Sequence, residues 1–385
     1  MSELSYLEKL LDGTEVEWKA LGDVTSVLRG KRLTKNLLSA EEKFPVFHGG
    51  LEPLGYYNKS NRPANTVMII NVGASAGTVG YSTVDFWSSD GCFCLEHNEL
   101  LNNRFLYFAL IGYQSLLKSK VRVAGIPTLD AIVVNKLLIP IPCPENPEKS
   151  LAIQLEIVRV LDKFTALTAE LTAELTAELT ARKKQYNYYR DQLLSFEDGE
   201  VEWVVLGNLV DINTGSKPPE IYEKATDYDY INAGTSRSGY SDESNCEGDT
   251  VTTPSRGQGG IGYVGYQKKP FWLGPLCYKF RAIDEELLVN KYLFYFLQSR
   301  NELLLSLKKE GGVPAINKSD LVRLEVPVPP LVKQQKIVDV LDNFYTLITS
   351  ITEGLPREIE LRQKQYEYYR DLLFSLALLN KSDFG

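Results

Sequence analysis

The sequence predicts two similar α/β domains, each followed by a long helix, with the two helices paired as an antiparallel coiled coil. Three observations lead to this fold class: an internal duplication, short strands separated by glycine turns, and two helical segments with the same apolar repeat. The chain has 385 residues, 44% of them hydrophobic, so it can bury more than one core. A fused duplication commonly folds with pseudo-two-fold symmetry.

The duplication appears as short motifs that recur at a nearly constant spacing of 184–187 residues, which falls to 180 in the helical segments. Three matched pairs illustrate it: Val-Glu-Trp at 16–18 and 201–203, Gly-Ile-Pro at 125–127 with Gly-Val-Pro at 312–314, and the proline blocks at 139–142 and 326–329. We therefore divide the chain into a first globular domain, a first helix, a second globular domain and a second helix. Their predicted bounds are 1–150, 151–197, 198–330 and 331–385.

The globular parts have the pattern of mixed α/β domains. Strands are expected at 67–72, 78–83 and 261–267, and helices at 103–117 and 290–307, where apolar residues recur at helical spacing. The proline blocks are expected to end each globular domain, because proline neither continues a central strand nor fits inside a helix.

The helical parts predict a rigid spacer. Residues 151–194 contain neither glycine nor proline and would span roughly 66 Å as one helix. Apolar positions from Ile157 to Leu193 and from Ile337 to Leu373 share the steps 4-3-4-3-4-4-3-4-3-4, a coiled-coil seam with one stutter. Because a globular domain separates the helices, we expect antiparallel pairing, with a kink at 352–356 where glycine and proline occur.

A Thr-Ala-Glu-Leu unit occurs three times in succession from position 168. The simplest interpretation is a low-complexity helix surface. The alternative is a length adjuster, since each unit adds about 6 Å of helix and turns it by about 40° beyond a full turn.

These features together resemble the specificity (S) subunits of type I restriction–modification systems, over nearly the whole chain. The resemblance rests on the duplicated domains, the proline blocks, the helix openings at 152–154 and 334–338, and the Thr-Ala-Glu-Leu repeats, which match a subgroup whose spacer varies in repeat number. It implies a non-catalytic DNA-recognition subunit without a cofactor of its own. Each target-recognition domain would read half of a split double-stranded DNA site.

The resemblance also implies partners. The helices would set the gap between the half-sites and dock two adenine-N6 methyltransferase subunits, which restriction and translocase subunits would join. S-adenosylmethionine, ATP and magnesium would then be bound by those partners. The alternative function is a scaffold that spaces two recognition modules for protein or glycan ligands.

Net charge is −8, and residues 1–150 hold 15 basic and 16 acidic side chains, so DNA binding would require local basic patches. Candidate DNA contacts lie in basic clusters near glycine turns: Arg29, Lys31, Arg32, Lys35, Lys118, Lys120, Arg122, Arg237, Ser255, Arg256, Gln258, Lys268, Lys269, Lys308 and Lys309. Among these, the Ser-Arg-Gly-Gln stretch at 255–258 is the strongest for base readout, because Arg and Gln form paired hydrogen bonds with guanine and adenine. The alternative for each is a solvated surface charge.

The two helices end in nearly identical tyrosine-rich segments. The seam accounts for Tyr186 and Tyr189 and their counterparts, but not for four other side chains that are typical of protein interfaces: Tyr188, Arg190, Tyr368 and Arg370. We predict that they dock two copies of one partner, with helix packing as the alternative.

Catalytic and metal sites are poorly supported. Gly-Ala-Ser-Ala-Gly at 73–77 matches a nucleophile elbow, but the following residues predict a strand instead of a helix, and Gly260 replaces Ser75 in the second half. Cys92, Cys94 and His97 lack an evident fourth zinc ligand.

Localisation is predicted from the N-terminus, the apolar runs and the cysteines. The acidic N-terminus, short apolar runs and five scattered cysteines predict a cytoplasmic protein without a membrane segment or disulfide framework.

Overall fold

The structure is a computed structural model that describes residues 14–197, 199–257, 259–309, 314–349 and 354–376. For residues 375 and 376 it describes the backbone alone. The chain divides into two compact units. Unit 1 comprises residues 1–173 and 360–385, and unit 2 comprises residues 174–359. Each unit thus contains one globular domain and a part of each helical segment.

Unit 1 is built from short strands and helices followed by the first part of a long helix. In chain order they are β1 (Val16–Ala20), α1 (Leu21–Val24), β2 (Val27–Arg29), a 3-10 turn (Lys35–Leu37), β3 (Phe44–Phe47), β4 (Gly55–Tyr57), β5 (Thr66–Ile70), β6 (Val79–Ser82), β7 (Trp87–Ser88), β8 (Cys92–Leu95), α2 (Asn103–Gly112), α3 (Gln114–Ser119), α4 (Ala131–Asn135), β9 (Leu138–Pro142) and α5 (Pro147–Leu193).

Three small sheets form the globular part of unit 1. The largest is antiparallel with the order β2-β8-β5-β6, the second has the order β4-β3-β7, and β1 pairs antiparallel with β9. Helix α2 packs on β5 and β6 and buries Phe105 and Phe108 in the core. Asn102 caps this helix: its side-chain oxygen accepts bonds from the backbone N–H groups of Arg104 and Phe105, at 2.9 and 3.0 Å.

Unit 2 repeats this order of elements. They are β10 (Glu202–Val205), α6 (Leu206–Leu209), β11 (Val210–Thr214), β12 (Tyr228–Ile231), β13 (Gly239–Ser241), β14 (Thr250–Pro254), β15 (Gly265–Gln267), β16 (Trp272–Leu273), β17 (Cys277–Ala282), α7 (Asn290–Ser299), α8 (Asn301–Ser306), α9 (Lys318–Leu321), β18 (Glu325–Val328), α10 (Leu331–Thr349) and α11 (Leu355–Leu376), of which α11 continues into unit 1.

The sheets of unit 2 match those of unit 1 strand for strand. The four-stranded sheet has the order β11-β17-β14-β15, the three-stranded sheet the order β13-β12-β16, and β10 pairs with β18. In both three-stranded sheets the last pairing is parallel. The predicted duplication therefore extends to sheet topology.

The two proline blocks form β9 and β18, the last strand before each long helical segment, so their prolines lie inside strands and do not break them. Pro140 pairs opposite Trp18 in the β1–β9 ladder, and Pro327 opposite Trp203 in the β10–β18 ladder. Proline is tolerated there because these strands have a single partner, so the missing N–H can face away from the ladder.

The predicted helices at 103–117 and 290–307 are each interrupted once. In unit 1 the break is at Tyr113, whose hydroxyl donates to the carbonyl oxygen of Leu138 at 2.8 Å, and in unit 2 it is at Arg300. The three predicted strands are also shorter than expected, with β6 ending at Ser82 and β15 beginning at Gly265.

The helices pair antiparallel in each unit. In unit 1 the rings of Phe164 and Tyr369 stack with centroids 5.6 Å apart, and Thr165 lies 3.1 Å from the hydroxyl of Tyr366. In unit 2 the rings of Tyr189 and Phe344 stack at 5.9 Å, and that of Tyr186 lies 6.0 Å from that of Tyr345. In both, a later residue of α5 meets an earlier residue of the partner helix.

The two helical segments differ in continuity. Helix α5 runs for 47 residues, whereas the second segment is divided into α10 and α11. Pro356 lies in the first turn of α11, a position where its missing N–H costs little. Residues 352 and 353 of the expected kink lie outside the described residues.

No helix in the described ranges is both long enough and apolar enough to cross a membrane.

Candidate nucleic-acid interface

Three chain segments of unit 1 meet at the end of the β5–β6 hairpin. Val72, which follows β5, bridges to Thr128, and Thr128 bridges to Arg122. The backbone N–H of Arg122 donates to the Thr128 carbonyl at 2.9 Å, and the backbone N–H of Thr128 donates to the Arg122 carbonyl at 3.0 Å. Leu129 is almost fully buried below this layer, and its N–H donates to the Asn71 carbonyl at 2.9 Å. The segments therefore form one small anchored layer at the sheet end.

Unit 2 builds the same layer from residues that the sequence analysis selected independently. Arg256 bridges to Ala315, and Ala315 bridges to Lys309. The Lys309 N–H donates to the Ala315 carbonyl at 2.9 Å. Arg256 and Lys309, far apart in sequence, thus flank the same short segment. Arg256 occupies the place of Val72, and Lys309 that of Arg122.

Ser255 is buried, although the sequence analysis selected it as a base contact. Its residue surface is 5% exposed, its backbone N–H donates to the Leu276 carbonyl, and its own carbonyl accepts the Ile316 N–H at 2.9 Å. This burial favours a role in supporting the loop, and the base contact stays a prediction. Gln258 lies outside the described residues.

Three predicted DNA-contact cations have acidic neighbours. A terminal guanidinium nitrogen of Arg122 lies 2.9 Å from the Asp130 carboxylate, the ammonium group of Lys309 lies 3.0 Å from that of Asp320, and the guanidinium of Arg237 lies 2.9 Å from that of Asp229. The hydrogen bond from Arg237 to Asp229 raises the pKa of Arg237. Such exposed pairs contribute little to stability but fix where the charge points.

A basic cavity of about 460 Å³ opens in unit 1 beside the same layer. Its lining includes three predicted contacts, Arg29, Arg32 and Lys35, together with His48 and Val72. The Arg29 side chain is oriented by its Nε–H, which donates to the Asp90 carbonyl at 3.0 Å. Because Val72 lines the cavity and bridges Thr128, the cavity and the 122–128 loop share one segment.

The remaining predicted cations lie in different places. Lys31 is exposed next to the cavity, and its carbonyl accepts the indole N–H of Trp87 at 2.8 Å. Lys118 and Lys120 are exposed at the end of α3, whereas Lys308 is half-buried. Lys268 follows β15 at the opposite end of the β14–β15 hairpin from Arg256. The same holds for its neighbour Lys269.

Two glutamines that the sequence analysis did not select join each globular domain to its helix. Gln154 and Gln334 are fully buried. In unit 1 the Gln154 oxygen accepts the Asn102 N–H at 2.8 Å and its amide donates to the Leu100 carbonyl at 3.0 Å. In unit 2 the Gln334 amide makes the equivalent pair with the backbone of residues 287 and 289 at 2.9 Å.

An ion pair repeats at the same junction. The Arg104 guanidinium donates to Asp162 at 2.7 Å, and the Lys291 ammonium group donates to Asp342 at 2.7 Å. Tyr295 also donates to Asp342, at 2.5 Å, and burial together with this carboxylate raises the tyrosine pKa. The recurrence of both glutamine and ion pair at matched positions was the sequence signal that could have identified them.

The tyrosine-rich helix ends are only partly exposed. Tyr188 and Tyr368 are 58% and 63% exposed. The side chains of Arg190 and Arg370 are 15% and 10% exposed and bond to the adjacent Asp191 and Asp371. The arginines are therefore largely enclosed within the chain, which favours the helix-packing alternative for them, and the docking role of all four residues stays a prediction.

The residues weighed above as a nucleophile or as zinc ligands lie in a turn, against a hydroxyl group and in an apolar cluster. Ser75 lies in the turn after β5, and strand β6 follows it, as expected. His97 contacts the Thr66 hydroxyl, 3.0 Å away at the other end of β5. Cys92 and Cys94 are buried in an apolar cluster.

The fold is a duplicated one with the same layer in each half, and comparison with known proteins specifies the class of protein. The description "Type I restriction modification DNA specificity domain" matches residues 14–181 and again residues 199–361. The chain belongs to this family of type I restriction–modification DNA specificity subunits.

Similar proteins agree across nearly the full length. The specificity subunit of the Escherichia coli type I enzyme EcoR124I/EcoR124II is 40% identical, and the match covers 97% of this chain and 98% of that one. The EcoprrI specificity subunit of Escherichia coli is 35% identical over 92% and 93%. A crystal structure of a type I S subunit from M. genitalium covers 95% of this chain and 96% of that one, with a TM-score of 0.52 at 20% identity, and so shows the shared fold.

Family membership confirms the predicted fold class, the predicted function and the predicted non-catalytic role. The fold consists of duplicated α/β domains joined by a long antiparallel two-helix coiled coil, and the chain is a non-catalytic DNA specificity subunit. The alternative of a non-DNA scaffold is not favoured. The individual contact residues and the four domain bounds remain predictions.

Proposed function

We propose that each globular domain reads one half of a split DNA sequence through the layer at the end of its β-hairpin. The observation that carries this proposal is the repeated bridging pattern, Val72–Thr128–Arg122 in unit 1 and Arg256–Ala315–Lys309 in unit 2. A layer that keeps its backbone pairing while its side chains change suits a domain that must read different bases on one scaffold.

The paired helices set the gap between the half-sites and dock two methyltransferase subunits, to which restriction and translocase subunits bind. Those partner subunits bind S-adenosylmethionine, ATP and magnesium. The bounds 1–150, 151–197, 198–330 and 331–385 describe the four working parts, and the complex acts on DNA in the cytoplasm.

The experiment has two stages. A methylome map from cells that express the full system gives the recognised sequence, and fluorescence polarisation then measures binding of the chain with its methyltransferase to that duplex. Arg256→Ala is expected to weaken binding by about 1–3 kcal/mol and to relax specificity in one half-site.

Arg323→Ala is the matched control, because it removes an exposed arginine that lies just before β18 and is not among the predicted DNA contacts. Its effect should be small. Equal losses in the two variants, or a specific loss in Arg323→Ala alone, would contradict the assignment of the layer as the reading surface.

A further inference from the structure

The loop between Arg122 and Thr128 presents two apolar side chains to solvent. Val123 is 80% exposed and Ile126 is 71% exposed, the highest values among the large apolar residues that the structure describes. Single exposed apolar residues are ordinary on protein surfaces, but two at one loop tip form an apolar point that the described residues leave open to solvent.

The loop is held rigidly at its base. Besides the two bonds between Arg122 and Thr128, the Gly73 N–H donates to the Pro127 carbonyl at 2.9 Å, and the Thr128 hydroxyl donates to the Ile126 carbonyl at 2.9 Å. Gly125 has φ +83° with open space around it, a left-handed conformation that glycine adopts without strain. The tip is therefore presented by a fixed stem.

Charge is arranged around the stem and is missing from the tip. Exposed Lys118, Lys120 and Arg122 lie at or before the stem, whereas residues 123–127 carry no charged side chain. Through the Thr128–Val72 bridge the stem adjoins the segment that also lines the cavity with Arg29 and Arg32. If the phosphates of a nucleic acid bind these cations, the apolar tip faces the groove between the phosphates, where the bases lie.

We propose that Val123 and Ile126 form a wedge that enters a DNA groove and partly unstacks one base step, while the cations at the stem bind the flanking phosphates. This inference rests on the proposed function of the globular domain. Apolar side chains inserted between base steps kink the duplex and position it against the protein. Cations at the stem and an apolar tip match the separation of phosphates from bases in DNA.

The test places fluorescent base analogues one at a time across the half-site of domain 1, with 2-aminopurine replacing adenine and pyrrolocytosine replacing cytosine. The protein is the full chain in complex with its methyltransferase. Fluorescence is expected to rise severalfold on binding at one base step, away from the adenines that the methyltransferase modifies, since base flipping would brighten an analogue at those adenines by itself. The double variant Val123→Ser/Ile126→Ser should abolish that rise and weaken binding roughly tenfold or more.

Val84→Ser is the matched control. Val84 is a 53% exposed valine that follows β6, at the end of the β5–β6 hairpin opposite to the end that Val72 joins to the loop. It should keep both the rise and the affinity. The wedge is refuted if no position outside the methylated adenines brightens while the wild-type complex binds, if the double variant keeps the rise, or if the control loses it as well.

Two further outcomes distinguish a wedge from a subunit-docking loop and from a domain that does not bind this DNA. Loss of methyltransferase from the purified double variant would assign the loop to subunit docking and overturn the wedge. Failure of the wild-type complex to bind the duplex at all would instead overturn the proposed function on which the wedge depends.

Discussion

At the residue scale, the junction between domain and helix depends on a single buried amide in each half. Gln334 is fully buried, accepts the Val289 N–H at 2.9 Å, and donates to the carbonyls of Leu287 at 2.9 Å and Pro329 at 2.8 Å. Buried backbone groups that lose their partner cost about 1–3 kcal/mol each. This glutamine therefore contributes more than its surface area suggests.

Gln334→Leu is expected to lower the free energy of unfolding by roughly 2 kcal/mol or more, because one buried and two part-buried backbone groups lose their partner. Urea unfolding followed by circular dichroism measures the loss. Gln335→Leu, at the exposed neighbouring position, is the control and should change stability by less than about 0.5 kcal/mol. Similar values for the two variants would contradict the bridging role.

Prediction at this scale identified some features and missed others for a common reason. Arg256 and Lys309 were selectable because basic residues near glycine turns are visible in the sequence, and the structure brings them together. The burial of Ser255 and of Arg370 depends on segments distant in sequence that pack over them, and no local pattern reports such packing.

At the element scale, the seam of the helices was predictable because the spacing of apolar residues, one every 3.5 residues on average, can be read from each helical segment alone. The interruption of the two predicted globular-domain helices and the prolines inside β9 and β18 were not. A proline is compatible with a strand that has one partner and incompatible with a central strand, so its meaning depends on a pairing that the sequence does not display.

The exposed tyrosines of the helix ends are expected to dock a partner. Tyr188→Ala/Tyr368→Ala should reduce co-purification with the methyltransferase, since removing a tyrosine that acts as an interface hot spot costs about 2 kcal/mol or more, or about thirtyfold in affinity. Leu167→Ala, at a 51% exposed site on α5, is the control. Undiminished capture by the double variant would show that these tyrosines have another role.

At the scale of the whole molecule, the continuity of α5 favours the interpretation of the Thr-Ala-Glu-Leu array as an adjuster of length. The array lies in a helix of 47 residues that also contains junction residues near its start and the tyrosine-rich end. A change in copy number leaves the sequence of both globular domains untouched.

Deletion of residues 172–175 removes one repeat unit and about 6 Å of helix. The methylated sequence is expected to keep both half-sites and to lose roughly one or two base pairs from the gap, since base pairs are spaced at about 3.4 Å. A methylome comparison of the two strains measures this. An unchanged gap, or altered half-sites, would argue against a spacer role for the repeats.

The pairing of β1 with β9 and of β10 with β18 brings the first and last strands of each globular domain side by side. Both chain ends of a domain therefore leave it at one point, next to a glutamine and an ion pair that recur in the other half. A domain of this kind can be replaced as a cassette through two nearby crossovers without rebuilding its anchorage. Gene exchange between such chains would generate new combinations of half-specificities from existing parts, with no need for gradual redesign of the scaffold.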